Sequence, residues 1–161
     1  MYLMRSDGSN RHTFAPTVGG TMASGVWSPS GATVAYVGGL SGVQHVLRTI
    51  RADGAKSSIR VIASGIRVAE DPDWSPDSKR LVFVRAPETV NKRVIYRVNA
   101  DATGLKKLVD YGADKGAGEP VWSPNGAQIA FDKANYLSGA HNELWTMNAN
   151  GADRTRVDRN G

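Results

Sequence analysis

Cysteine is absent from this chain of 161 residues. Its absence excludes a disulfide scaffold and every site that needs a thiolate, whether catalytic or metal-bound. It does not choose a cellular compartment, because a protein without cysteine is compatible with both oxidising and reducing surroundings.

Long apolar runs are also missing. Residues 13–47 contain no Asp, Glu, Lys or Arg, which by itself would suggest a membrane span. Gly, Pro and Ser interrupt this stretch at Pro16, Gly19–Gly20, Ser28–Pro29 and Gly38–Gly39. No apolar helix of about 20 residues can form there, so we expect no membrane span. Residues 1–8 lack the apolar core of a signal peptide, and we expect any export signal to lie outside this chain.

Charge of one sign is not concentrated anywhere. The formal net charge is +5, which invites a nucleic-acid interpretation. The basic residues, however, occur as scattered pairs such as Lys79–Arg80 and Lys106–Lys107, with acidic residues between them. Phosphate binding needs clustered Lys and Arg, so we predict that nucleic acid is not the partner.

What the sequence does contain is a long internal repeat. The tripeptide Trp-Ser-Pro begins at Trp27, Trp74 and Trp122, with spacings of 47 (27 to 74) and 48 residues (74 to 122). Each tripeptide opens a type I turn, in which Pro sets φ and a Ser, Asp or Asn side chain caps the backbone. A β-branched or aromatic strand follows each turn: Thr33–Tyr36, Arg80–Phe83 and Gln128–Phe131. Each unit is therefore a hairpin with Trp on its first strand, and we expect all three tryptophans to pack between neighbouring sheets.

A second repeat lies between the copies of the first. Strand-like segments that begin at Tyr2, Arg48, Tyr96 and Trp145 align on the turn residues that end them. Three of these turns are Asp-Gly or Asn-Gly, the strongest short signal for a hairpin. A weaker outer strand follows each turn, and no segment shows a convincing apolar period of 3.6. The pattern predicts four strands per unit and almost no helix.

Four strands repeated about every 47 residues describe a blade of a β-propeller. The motif Trp-Ser-Pro-Asp/Asn-Gly, followed by strands such as Ile129-Ala130-Phe131, resembles the TolB-type, WD-repeat-like propeller family over essentially the whole chain. The resemblance implies an all-β fold of antiparallel blades. It also implies a protein-interaction role in the periplasm, or another extracytoplasmic compartment, of a bacterium with two membranes.

The predicted ring is incomplete. Residues 1–15 supply two strands of a blade, and whole blades follow at about 25–65, 72–110 and 119–158, which makes three and a half. Propellers normally have four to eight blades. We interpret the chain as a single propeller segment of a longer protein. The other interpretation is self-association through the open blade edges.

Four residues are candidates for partner binding. Asp71 and Glu119 precede the Trp-bearing strand in consecutive units, 48 residues apart (71 to 119), and Ser24 or Gly25 takes their place in the first unit. Innermost strands line the central channel of a propeller, so we expect these two carboxylates to face one another near its mouth and to attract a cation or a basic peptide. Arg67 and Tyr136, in the long loops 64–71 and 133–141, are the other two candidates.

A metal site has weaker support. Oxygen-bearing side chains alternate in Asn99–Gly104, and Asp110 falls at position twelve, as in a calcium loop. Both flanks are strand-like rather than helical, so we predict a hairpin turn and no cofactor, with calcium as the alternative. The histidines His12, His45 and His141 are dispersed, which argues against a histidine metal site and against a propeller-based polysaccharide lyase.

The sequence contains no recognisable catalytic motif. There is no Gly-x-Ser-x-Gly elbow and no phosphate-binding glycine loop. We therefore predict a non-catalytic scaffold that binds a protein or peptide through its inter-strand loops. The alternative is an accessory propeller that gates a prolyl-oligopeptidase-type serine hydrolase, whose catalytic domain would lie outside this chain.

Overall fold

The computed structural model of the protein describes residues 2–14, 22–40, 44–66, 68–86, 92–112, 115–135 and 143–157. Within these ranges the chain is almost entirely β-structure. The one helical element there is a single 3₁₀ turn at Lys56–Ser58, and no described helix has the length and apolar character needed to cross a membrane.

Fourteen strands follow one another along the described chain. They are β1 (Tyr2–Leu3), β2 (His12–Thr13), β3 (Met22–Trp27), β4 (Thr33–Leu40), β5 (Gln44–Arg51), β6 (Arg60–Ile66), β7 (Val68–Trp74), β8 (Arg80–Ala86), β9 (Val94–Asn99), β10 (Lys106–Val109), β11 (Lys115–Trp122), β12 (Gln128–Asn135), β13 (Glu143–Asn148) and β14 (Thr155–Arg156).

The strands form three four-stranded sheets and one two-stranded sheet, all antiparallel between neighbours in sequence. We call β3–β6 blade 1, β7–β10 blade 2 and β11–β14 blade 3, and the β1–β2 pair the half blade. The predicted fold class, an all-β chain of about three and a half propeller blades, is confirmed. Each meander follows from short strands joined by tight turns, which need no crossover connection.

The Ser-Pro turn between the first two strands of each blade is held by its own serine. Ser75 Oγ accepts a hydrogen bond of 2.9 Å from the Arg80 amide, and the Ser78 amide donates to the Ser75 carbonyl at 2.8 Å. The residue that leaves the turn has positive φ, +70° at Gly31 and +58° at Ser78. Blade 2 therefore holds a serine in a conformation that glycine adopts at lower cost.

The hydrophobic core lies between blades rather than inside any one of them. One cluster joins blade 1 to blade 2 and a second joins blade 2 to blade 3. In the first, Val37 and Leu47 of blade 1 pack with Phe83 and Leu81 of blade 2, and all four side chains are fully buried. Stacked blades thus bury each other's apolar faces, which a single four-stranded sheet cannot do alone.

The three repeated tryptophans do not share one environment, and here the expectation of uniform packing is wrong for Trp27. Trp74 and Trp122 are 4% and 6% exposed, whereas Trp27 is 46% exposed. Trp74 lies on β7, which contacts β3, β4 and β5 of blade 1, and Trp122 lies on β11, which contacts β7, β8 and β9 of blade 2. Trp27 faces the half blade, which holds only β1 and β2 in the described chain, and its ring packs on Phe14 at a centroid distance of 6.4 Å.

Candidate functional site

The first strand of every blade contains a β-bulge at the same place. The pairing register shifts between Ala23 and Gly25 in β3, and equivalent shifts occur in β7 and β11. The bulge residues are Ser24, Asp71 and Glu119, with φ of +47°, +50° and +46°. These three positions, which correspond to one another by sequence spacing, therefore also share one backbone conformation.

A proline follows the bulge residue in two of the three blades. Pro72 follows Asp71, and Pro120 follows Glu119; both prolines are buried. Proline has no N–H to donate to a ladder and is tolerated within a sheet at an edge or a bulge. The bulge re-aims the side chain that precedes the proline, as bulges near functional sites commonly do.

A third carboxylate lies beside this position. Asp132 of β12 is the register partner of Gly118 in β11. A Cβ atom on Gly118 would lie 2.6 Å from Asp132 Oδ1, closer than side-chain atoms approach, so glycine creates the space that the carboxylate occupies. Asp132 also accepts a hydrogen bond from the Gly118 backbone N–H.

Arg93 brings positive charge to the same place from blade 2. Its carbonyl accepts a hydrogen bond of 3.1 Å from the Ala117 amide, which ties it to β11 of blade 3. A Cβ atom on Gly118 would lie 3.7 Å from Arg93 Nη1, so the guanidinium and the Asp132 carboxylate border the same space. We call Asp71, Arg93, Gly118 and Asp132 together the Asp132 site.

The surroundings of Asp132 disfavour the ionised form of its carboxyl group. Burial raises the pKa of Asp132 above its ordinary value, and the negative charge of Asp71 raises it further. The Gly118 N–H and the Arg93 guanidinium act in the opposite direction and lower this pKa without restoring it. A half-buried carboxylate thus experiences the negative charge of a second one, and the net effect is a raised pKa.

Sequence reasoning missed Asp132, although a signal was present. In blades 1 and 2 the equivalent positions, after Tyr36 and Phe83, are Val37 and Val84, and both valines are fully buried. An acid that replaces an apolar core residue in one copy of a repeat departs from the pattern, and polar residues at core positions mark functional sites.

The four residues predicted to bind a partner differ in their burial and surroundings. Asp71 is half-buried and acts electrostatically on Asp132 of the next blade. Glu119 is exposed and directly follows Gly118 in β11. Arg67 and Tyr136 lie outside the described residues. The proposed facing of Asp71 and Glu119 stays a prediction, since the carboxylate that the structure brings close to Asp71 is Asp132.

The segment with calcium-loop spacing forms a hairpin turn between β9 and β10. Asp101 Oδ1 accepts hydrogen bonds from the Thr103 amide at 2.9 Å and from the Thr103 hydroxyl at 2.6 Å. Asp110 forms ion pairs with Lys92 at 2.9 Å and with Lys107 at 2.8 Å. Oxygens of Asp101 and Asp110 therefore have partners within the chain. The absence of a cofactor here stays a prediction, with calcium as its alternative.

Metal ligands do not gather elsewhere in the part of the chain that the structure describes. No group of three or more His, Cys, Asp or Glu residues in those ranges has an arrangement that would hold a metal ion.

Comparisons with known proteins identify the fold. No protein-family model matches the sequence, and no curated protein matches it. A solved structure described as TolB from Agrobacterium tumefaciens is 22% identical, with a TM-score of 0.77 over 96% of this chain and 55% of that one. TolB from Acinetobacter baumannii is 17% identical, with a TM-score of 0.58 over 96% of this chain and 47% of that one.

A peptidase contains the same architecture. A puromycin-hydrolyzing peptidase of Mycobacterium tuberculosis is 14% identical, with a TM-score of 0.77 over 99% of this chain and 27% of that one. The chain thus has a TolB-like β-propeller fold and spans about half the length of the TolB structures it matches. At these identities the likeness shows the fold alone.

Proposed function

We propose that this chain is a non-catalytic, TolB-like propeller scaffold that binds a protein or peptide partner, and that the Asp132 site recognises a basic side chain of that partner. The observation that carries the proposal is that the negative charge of Asp71 acts on the half-buried Asp132 carboxylate at the junction of blades 2 and 3, where two acids serve one site. A Lys or Arg side chain of a partner forms charge-assisted hydrogen bonds with carboxylates placed in this way.

The carboxylates are held on a rigid support, which favours binding over accidental surface charge. The Trp122 amide donates a hydrogen bond of 2.7 Å to the Asp73 carboxylate across the same junction. Further out, Arg97 Nη1 donates to the Ala149 carbonyl at 2.8 Å. These bonds join blade 2 to blade 3. The first involves β7, which carries Asp71, and β11, which pairs with the strand of Asp132, so that little ordering is required on binding.

A fluorescence anisotropy titration with a labelled lysine-rich peptide tests the proposal. We expect Asp71→Asn and Asp132→Asn each to weaken binding by roughly five- to tenfold at low salt, because each removes one attractive charge from a partly desolvated site. A peptide with glutamate in place of lysine serves as the ligand control and should not bind.

The matched protein control is Asp7→Asn. Asp7 lies in the turn between β1 and β2, and its replacement makes the same change of net charge away from the Asp132 site. Equal affinity of the wild-type protein, Asp71→Asn and Asp132→Asn for the peptide would show that the site does not bind cations. An equal loss with Asp7→Asn would show that only net charge matters.

A second candidate function is the accessory propeller of a serine hydrolase. The observation that favours it is the coverage of 99% of this chain by a propeller-containing peptidase. The two candidates differ in what accompanies the propeller, so the coding sequence around this segment distinguishes them: a hydrolase domain with its own Ser, Asp and His in the same reading frame supports the accessory role.

We also propose an extracytoplasmic location, in the periplasm of a bacterium with two membranes, on the basis of the TolB-like fold. The proposal is tested by cell fractionation of the natural host with an antibody against this chain. Recovery in the cytosolic fraction would contradict it.

A further inference from the structure

The face of blade 1 that packs on blade 2 changes from apolar to polar along its strands. Leu47 of β5 is fully buried in the cluster between the two blades. Thr49, two residues further on, lies on the same face because side chains alternate along a strand. The strand pairing places polar neighbours around it: Thr49 pairs with Arg60, and Thr33 pairs with Arg51 on the same face. Two threonines and two arginines therefore lie together at this end of the junction.

Blade 2 carries long cationic side chains at the positions equivalent to the two threonines. Its strands pair in the same register, so Arg80 and Arg97 occupy these positions on the face toward blade 3. Arg97 Nη1 donates a hydrogen bond of 2.8 Å to the carbonyl of Ala149, and the Arg80 guanidinium lies 5.8 Å from the centroid of the Trp122 ring. Two cationic side chains thus bridge the junction of blades 2 and 3.

Threonine is too short to bridge a junction in this way, and a cavity lies between blades 1 and 2 at the equivalent place. Its volume is about 570 Å³, within the size range of small-molecule sites. Both blades have all four of their strands, so the cavity does not take the place of an absent strand. We call it the Arg60 pocket, and its polar lining includes Thr33, Thr49, Arg51, Ser58, Arg60 and Ser78.

One wall of the Arg60 pocket is a segment that is longer in blade 1 than in the other blades. Nine positions separate Arg51 from Arg60 (51 to 60), whereas seven separate the equivalent residues of blades 2 and 3 (99 to 106 and 148 to 155). The extra length forms the 3₁₀ turn Lys56–Ser58, which contributes two serines to the lining. Ser58 Oγ accepts a hydrogen bond of 3.0 Å from the Arg51 amide, which holds this wall against β5.

The two arginines of the Arg60 pocket are accessible to a ligand. Arg51 pairs with Asp53 at 2.7 Å, but both side chains are more than half exposed, and such pairs contribute little free energy. Among the described residues Arg60 has no ion-pair partner. Its charge acts on Asp101, whose carboxylate already accepts two hydrogen bonds from Thr103. The charged side chains among the described lining residues are two arginines and one aspartate, which favours an anion.

We propose that the Arg60 pocket binds a small molecule that carries a carboxylate or phosphate group. Guanidinium groups recognise both groups through charge-assisted hydrogen bonds, which are frequently bidentate. The serine and threonine hydroxyls of the lining offer further hydrogen bonds to the ligand. The Arg60 pocket lies between blades 1 and 2 and the Asp132 site between blades 2 and 3, so either can fail without the other.

NMR titration of the ¹⁵N-labelled protein with inorganic phosphate and, separately, with succinate tests the proposal. We expect at least one of the two anions to shift the amide signals of Ser58 and Ser78 in a saturable way. The Gly118 amide, at the Asp132 site, should not respond. Potassium chloride at the same ionic strength is the control for screening, and the comparison of the two anions distinguishes a phosphate from a carboxylate ligand.

Removal of either guanidinium should weaken this binding. We expect Arg51→Gln and Arg60→Gln each to lower the affinity by roughly fivefold or more, because each removes a charged hydrogen-bond donor. The matched control is Arg5→Gln, in the turn between β1 and β2, which makes the same change of net charge away from the pocket. It should leave the affinity unchanged.

Thr49→Arg separates the effect of the cavity from that of charge. The variant has the residue that blade 2 carries at this position, and its guanidinium should reach the Ala100 carbonyl as that of Arg97 reaches Ala149. It adds a positive charge and nevertheless should abolish binding, because its side chain occupies the pocket.

Three results would overturn the proposal. One is the absence of saturable shifts at Ser58 and Ser78 with both anions, and another is equal affinity of the wild-type protein and Arg60→Gln. The third is tighter binding by a folded Thr49→Arg variant, because it would show that the anions follow charge and not the cavity.

Discussion

The indole Nε1 of Trp74 donates a hydrogen bond of 3.2 Å to the carbonyl oxygen of Val26, 48 residues earlier in the chain. The bond joins blade 2 to blade 1, and both residues belong to or pack against the buried cluster between these blades. It places the Trp74 side chain at a junction of two blades, so the contribution of this tryptophan to stability depends on the strands of the preceding blade.

Trp74→Ala should therefore destabilise the protein far more than Trp27→Ala. Removal of the buried indole of Trp74 leaves a cavity and an unpaired carbonyl, which we expect to cost about 3–5 kcal/mol. The half-exposed Trp27 should cost only about 1 kcal/mol. Urea unfolding followed by circular dichroism measures both. Equal losses at the two positions would contradict the role assigned to the preceding blade.

Ala102→Gly should stabilise the turn between β9 and β10. Ala102 has a φ of +71° where the equivalent turns have Gly54 at +71° and Gly151 at +91°. A left-handed conformation costs a residue with a Cβ about 1 kcal/mol relative to glycine, so we expect a gain of that size in the free energy of unfolding.

Ala100→Gly is the matched control for this change. Ala100 does not have positive φ. Glycine there adds unfolded-state entropy and removes a methyl group that packs against the cluster between blades 1 and 2, with an expected loss of about 1 kcal/mol. If both variants shift stability in the same direction, strain at Ala102 is not the cause.

Asp132→Asn should raise stability at neutral pH and should do so in a pH-dependent way. Because the folded-state pKa of Asp132 is raised by burial, the folded protein binds this proton more tightly than the unfolded chain does. The wild-type protein then loses stability as the pH rises from about 4, the ordinary Asp pKa, through the raised folded pKa.

The amide does not titrate, so the advantage of Asp132→Asn should grow over that window and disappear below it. We expect about 0.5–1 kcal/mol at neutral pH, a modest figure because the side chain is half exposed. Denaturant melts at several pH values measure it. An advantage that is constant with pH would show that ionisation of Asp132 is not its source.

Asp110→Asn should change the pH dependence of stability in the opposite direction. Hydrogen bonds from Lys107 and Lys92 hold the pKa of Asp110 well below its usual range. Its contribution to stability is complete above pH of about 4 and is lost as the pH falls below that value toward the depressed folded pKa. We expect Asp110→Asn to lose about 0.5–1 kcal/mol at neutral pH, discounted for exposure to solvent.

The difference between Asp110→Asn and the wild-type protein should vanish in acid. Glu119→Gln, an exposed acid on blade 3, makes the same change of charge and serves as the control in the same melts. A loss that persists at low pH would indicate that the amide perturbs the turn sterically and not through the lysines.

The sequence by itself determined the blade architecture. The Ser-Pro turns, the Asp-Gly and Asn-Gly turns and the alternating strands are encoded within a few neighbouring residues, so hydrogen bonds such as that from the Arg80 amide to Ser75 were predictable. The equivalence of Ser24, Asp71 and Glu119 was predictable too, because a repeat carries its bulges with it.

The tertiary structure alone decided which copies of a repeated residue are buried and which acid lies within the electrostatic influence of another. Trp27 and Trp74 share the Trp-Ser-Pro motif, yet the first is 46% exposed and the second 4%. The charge of Asp71 acts on Asp132 of the next blade, a residue that the repeat did not single out. The physical reason is that burial and the electrostatic surroundings of a side chain depend on neighbours that lie far away along the chain, such as Val26 and Trp74, 48 positions apart. No local pattern specifies these neighbours.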